Sequence, residues 1–154
     1  MKSGPQFRIL GIPVRVDPFF VIVIFILGLS WSTLGTEYLA SWMIIASSSV
    51  LLHELGHAVA FKAFGVQPSI ALVGLGGLTT GEGRLTPARH IVVSLAGPLA
   101  TLILIGVPAL VYRASDAQAS VGVATILEQI IFVNVLWALL NLAPKTARRI
   151  ADGR

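Results

Sequence analysis

The chain has 154 residues, 55% of them hydrophobic and 12% charged, with a net charge of +4 and no cysteine. Soluble domains carry about 25% charged residues, so there is too little charge here to coat a water-facing surface, and the lack of thiols excludes both a disulfide framework and thiolate metal ligation. The basic balance does not fit a nucleic-acid partner, because no basic run is interleaved with aromatic residues.

Uncharged blocks set out the organisation in chain order. Nineteen residues without charge lie between Asp17 and Glu37, and between Glu37 and Lys62 the only acidic, basic or imidazole groups are His53, Glu54 and His57. Twenty-two uncharged residues separate His90 from Arg113, and between Asp116 and Lys145 only Glu128 is charged. A helix needs roughly 20 residues to cross hydrocarbon, which predicts four spans at about 18–35, 39–62, 89–112 and 121–142. The first is too long for a signal-peptide core and no A-x-A-like site follows it, so it reads as a retained span. With the N-terminus cytoplasmic, ten of the eleven Lys and Arg residues fall on the cytoplasmic side, Arg113 being the exception. That is the bias by which membrane proteins are oriented, and it accounts for the positive charge.

The long connector, 65–87, mixes apolar and β-branched residues with glycines from Ile70 to Gly81. It predicts one or two short strands with tight turns, a small hairpin at or within the interface. Gly74-x-Gly76 is not a phosphate loop, since no Lys-Ser/Thr follows. Pro98 and Pro108 are expected to kink span three, and Ser94, Gly97, Ala100 and Thr101 to give it a small-residue side for close packing. Trp31 and Trp42 read as interfacial anchors, Ser47, Ser48 and Ser49 as helix-packing residues, and Glu128 as a charge with a buried partner or water contact. No internal repeat or second domain appears, so 1–154 reads as a single polytopic domain.

The chemistry concentrates at His53-Glu54-Leu55-Gly56-His57. On a helix His53 and His57 project from one face, one turn apart, the spacing at which two imidazoles bind one tetrahedral zinc. Glu54 sits about 100° round the helix from His53, close enough to reach a water at the metal without being a ligand. It can take that water's proton and pass it to a leaving amine. An idle pattern of this kind is common on soluble helices. Inside an apolar span it is not, because a charged side chain at mid-membrane costs about 2.5–3.5 kcal/mol.

Leu52-His53-Glu54-Leu55-Gly56-His57-Ala58 resembles the first motif of the site-2 protease family of intramembrane zinc metalloproteases. Ser94-Leu95-Ala96-Gly97-Pro98-Leu99-Ala100 resembles that family's third-span signature. Asn134 to Pro144 resembles the run leading to its second motif, N-x-x-P followed by Asp-Gly, and the Gly-rich connector resembles its strand segment. The matches run in order over nearly the whole chain. Asp152-Gly153 follows Pro144 by eight residues, across the basic stretch Lys145 to Ile150, which is further along than the family pattern.

The resemblance implies one catalytic zinc held by His53, His57 and Asp152, with Glu54 as general base and Asn141 helping to position substrate backbone. It implies substrates that are single-span membrane proteins, cut within or near the bilayer. Catalytic zinc usually has three protein ligands plus water. Sidedness leaves Asp17, Glu82, His90 and Asp152 as candidates for the third; Asp152 carries the Asp-Gly of the family motif, and His90 is the alternative. Substrate is expected to dock in extended form along 72–79, with Gly76 and Gly77 at the contact. The reading is therefore an all-α, multi-pass membrane protein of about four helices with a small Gly-rich strand element. It would sit in a bacterial or archaeal cell membrane with both termini cytoplasmic, as an intramembrane zinc endopeptidase whose partners are the bilayer and a membrane-spanning substrate. The rival reading is a peptidase-like scaffold with an incomplete metal site. A transporter is disfavoured, because no paired broken helices mark two related halves.

Overall fold

The computed structural model describes residues 4–114 and 120–142. Strands β1 (Gln6–Ile9) and β2 (Ile12–Val16) pair antiparallel, with Phe7 opposite Val14 and Ile9 opposite Ile12. Leu10 and Gly11 form the turn between them, at φ of 52° and 78°, the backbone that a two-residue hairpin loop requires. Asp17 then caps helix α1 (Pro18–Gly28): its carboxylate accepts from the Phe19 N–H at 2.9 Å, and Pro18 occupies the first position. A 3₁₀ segment, Leu29–Leu34, leads to the long helix α2 (Thr36–Ala63).

After α2 come β3 (Gln67–Val73) and β4 (Gly76–Glu82), paired antiparallel with Leu72 opposite Gly77. β2 and β3 pair in parallel, Val14 opposite Ile70, so the four strands form one sheet in the order β1-β2-β3-β4. The chain is thus mostly helical with a small sheet. The N-terminal pair, whose strands have four and five residues and carry Arg8 and Arg15, adds to the small strand element expected between spans two and three of an otherwise all-α chain. Their turn also lacks the Asn-Gly or Asp-Gly that marks such hairpins.

Helix α3 (Pro87–Thr101) starts at Thr86, whose hydroxyl accepts from the Arg89 N–H. The helix runs on through Pro98, passes into a π segment at Leu102–Gly106 and continues as α4 (Val107–Ala114). The Thr101 hydroxyl lies within hydrogen-bond reach of the Gly97 and Pro98 carbonyls, at 3.3 and 3.0 Å. Helix α5 (Val121–Leu142) follows. Among the described residues two helices, Thr36–Ala63 and Pro87–Ala114, are long and apolar enough to cross a membrane, while Pro18–Leu34 and Val121–Trp137 are shorter apolar helices.

Trp42 sits at the centre of the helical packing, fully buried, with its indole N–H donated to the Ile24 carbonyl at 2.9 Å. It is a core residue and not the interfacial anchor expected of it; Trp31 stacks on it with ring centroids 6.2 Å apart. Ile12, Val14, Ile70 and Leu72 carry this core onto the inner face of the sheet. Of the buried polar residues Thr125 and Gln129 on α5, Gln129 reaches across to α2. Its carbonyl oxygen accepts from the Ser41 hydroxyl and its amide donates to the Tyr38 carbonyl, both at 2.8 Å, tying α5 to α2. Glu128, the preceding residue, is exposed.

Candidate active site

His53, Glu54 and His57 lie in the second half of α2, with His53 and Glu54 buried and His57 half-buried. The rings of the two histidines meet edge to face, and their Nε2 atoms stand 3.2 Å apart. His57 Nδ1 lies 2.6 Å from the Val93 carbonyl on α3. A carbonyl can only accept, so Nδ1 carries the proton and the lone pair of His57 is on Nε2, turned to His53. Two nitrogens held at about 2.0–2.1 Å from one ion in tetrahedral array would be roughly 3.3 Å apart. The histidine pair therefore fits two ligands of a single zinc.

Residues on the facing helix make this pairing possible. A Cβ on Gly97 would strike the His57 imidazole, and one on Gly56 would lie 2.9 Å from the Ala100 Cβ. The small-residue side read from the sequence thus contributes Gly97 and Ala100 to the contact, whereas Ser94 is exposed.

Glu54 turns toward the sheet. The Thr79 hydroxyl donates to its Oε2 at 2.6 Å, a charge-assisted bond that fixes the carboxylate. Gly77 covers the same side chain so closely that a Cβ there would be 2.5 Å from Glu54 Cδ. Gly76, its neighbour, faces Trp137, with its nearest contact at 3.5 Å. Thr79, Val93 and the use of Gly97 beneath the imidazole were not among the residues singled out from the sequence. Only the packing of α2 against β4 and α3 could have revealed them.

Among the described residues no third His, Cys, Asp or Glu joins the histidine pair. His90 and Glu82 are exposed, and Asp17 is engaged as the α1 cap. Asp152 and the Asn141 side chain lie outside the described residues. Beside His53, between α2, the π segment and α5, is a cavity of about 170 Å³.

No family model matches the chain. It is 32% identical over 100 residues to a zinc metalloprotease of Methanocaldococcus jannaschii, which takes in 64% of this chain and 29% of that protein. A Synechocystis protein named as a zinc metalloprotease is 29% identical over 87% of this chain and 38% of its own length. Rip3 of Mycobacterium tuberculosis, also named as a zinc metalloprotease, is 29% identical over 91% of this chain and 39% of its own. The chain thus spans well under half the length of these curated relatives. Its fold is that of the site-2 protease from Methanocaldococcus jannaschii, with a TM-score of 0.67 over 97% of this chain and 70% of that one at 23% identity. The sequence similarity to zinc metalloproteases and the shared fold together support a site-2 protease family assignment.

Proposed function

We propose that the chain is an intramembrane zinc endopeptidase that hydrolyses peptide bonds of membrane-spanning substrates. The observation that carries the proposal is the histidine pair, with Nε2 atoms 3.2 Å apart and a buried Glu54 beside them, on an apolar helix. His53 and His57 would hold the zinc, with Asp152 as the third ligand. Zinc held there would supply Lewis acidity, polarising a peptide carbonyl and making water nucleophilic near neutral pH. Glu54 takes the proton of the attacking water and delivers it to the leaving amine. Val93 keeps His57 in the tautomer that leaves Nε2 free for the metal. Thr79 and Gly77 hold the Glu54 carboxylate in one place.

Depth in the bilayer follows from helix length. α2 has 28 residues, about 42 Å, against a hydrocarbon thickness of about 30 Å. With Thr36 at the outer face, His53 to His57 come at the inner boundary, where water is at hand. Lipid contact is supported by the outward apolar side chains of α1, among them Phe19, Ile22 and Ile26, and of the π segment and α4, among them Ile103, Leu104 and Val111. Four spans with cytoplasmic termini complete the proposal.

A membrane helix keeps its peptide groups in internal hydrogen bonds, so the substrate must unwind before it can be cut. β4 lies at an edge of the sheet and its Gly77 and Thr79 touch Glu54. Unwound backbone added along that edge gains replacement hydrogen bonds while its carbonyls come up to the site. Asn141 is proposed to position the same backbone. The test is cleavage of a single-span peptide in liposomes by the wild type and by Glu54→Gln. The variant should keep its zinc and lose about 10²–10⁴-fold in rate. Equal rates would refute the assigned mechanism.

A further inference from the structure

The cavity beside His53 is walled by α2, the π segment and α5. Its polar side chains are largely spent on their own helices. The Thr101 hydroxyl lies against the Gly97 and Pro98 carbonyls, and the Asn134 amide donates to the Ile130 carbonyl. Pro98, Leu102, Val133 and Trp137 make the rest of the wall mainly apolar. The π turn widens the helix where Leu102 and Gly106 meet the cavity.

Ser49 lies one turn before His53 and is 4% exposed, and its hydroxyl has no hydrogen-bond partner among the described residues. A serine at this place keeps the space open where a larger side chain would close it. Its unmatched hydroxyl also leaves room for a partner that the described residues do not supply.

At about 170 Å³ the cavity is close to the roughly 150 Å³ apolar void that holds a benzene-sized guest. Leu, Met or Phe fits such a space and Trp does not. A carbonyl brought to the histidine pair places the side chain of an adjoining residue within reach of it. We infer that the cavity receives the apolar side chain of the substrate residue next to the scissile bond, and that Ser49, Leu102 and Gly106 set side-chain specificity. The inference rests on the peptidase reading, which makes a peptide the ligand.

The probe is a set of single-span peptides carrying photo-leucine at successive positions through the cytoplasmic half, crosslinked to the Glu54→Gln protein. One position should crosslink to Leu102, Gly106, Val133 or Trp137. Ser49→Leu and Gly106→Leu, added singly to the Glu54→Gln protein, fill the cavity from different helices and should each abolish that crosslink, so a folding defect in one leaves the other decisive. In the wild type, replacing Leu by Ala at the same peptide position removes about three buried carbons and should lower kcat/KM roughly 10- to 50-fold. In the Ser49→Leu protein with Glu54 intact, that preference should reverse toward Ala. Crosslinks that appear although the wild type cleaves no peptide would leave the pocket standing and remove the peptidase reading. No crosslink to these four residues, an undiminished crosslink in both filled variants, or an equal loss of rate for all side chains would overturn the inference.

Discussion

Replacing Gly77 by alanine isolates the placement of Glu54 from every other feature of the site. The backbone at 77 is not at positive φ, so alanine brings no backbone strain. Its Cβ would lie 2.5 Å from Glu54 Cδ and 2.7 Å from Oε1, where carbon contacts are comfortable only at about 3.5 Å or more. The carboxylate must therefore retreat by on the order of 1 Å, and it cannot do so freely. Thr79 holds it through a 2.6 Å bond, and bonds to charged groups contribute about 1.5–3 kcal/mol. A catalytic group misplaced by about 1 Å costs roughly 10²-fold in rate, or about 2.7 kcal/mol of transition-state stabilisation. The assay is kcat/KM on a single-span peptide, with zinc measured in parallel and expected unchanged, because the three atoms nearest the new methyl all belong to Glu54. Gly76→Ala is the control: its nearest contact is Trp137 Nε1 at an ordinary 3.5 Å, and it should stay close to wild type. Equal activity of the two variants would show that Glu54 does not act from the position β4 gives it.

Sidedness is tested in the natural cysteine-free background: single cysteines at Thr36 and Gln118 should be labelled from outside and one at Glu82 should not, and the reverse pattern would invert the proposed orientation and the depth of the site. The third ligand is tested by zinc content and activity of Asp152→Ala beside His90→Ala. Loss in the first alone is expected, and loss in the second alone would move the ligand to His90.

The sequence pointed to the histidines and Glu54 because a helix puts positions four apart on one face, and because ionisable groups are scarce in an apolar block. The strands between α2 and α3 were announced by β-branched residues between glycines. What could not be seen were contacts that depend on how distant segments meet. Thr79 looks like any strand threonine until β4 lies along α2, and Val93 matters through its carbonyl, which has no side-chain signature. Gly76 and Gly77 are alike in sequence, yet only Gly77 lies against Glu54. The β1–β2 pair escaped notice because its short strands alternate apolar residues with Arg8 and Arg15. Trp42 shows a related limit: residue type suggested an interface. Packing against Ile24 buried the tryptophan.

The central claim is that the facing Nε2 atoms of His53 and His57 are the seat of one zinc, and the most direct test is metal content. Purified protein dialysed against trace zinc should hold one zinc per chain, and His53→Ala and His57→Ala should each reduce that to a small fraction while the helical content is kept. A full complement of zinc in either variant would place the metal elsewhere and contradict the claim.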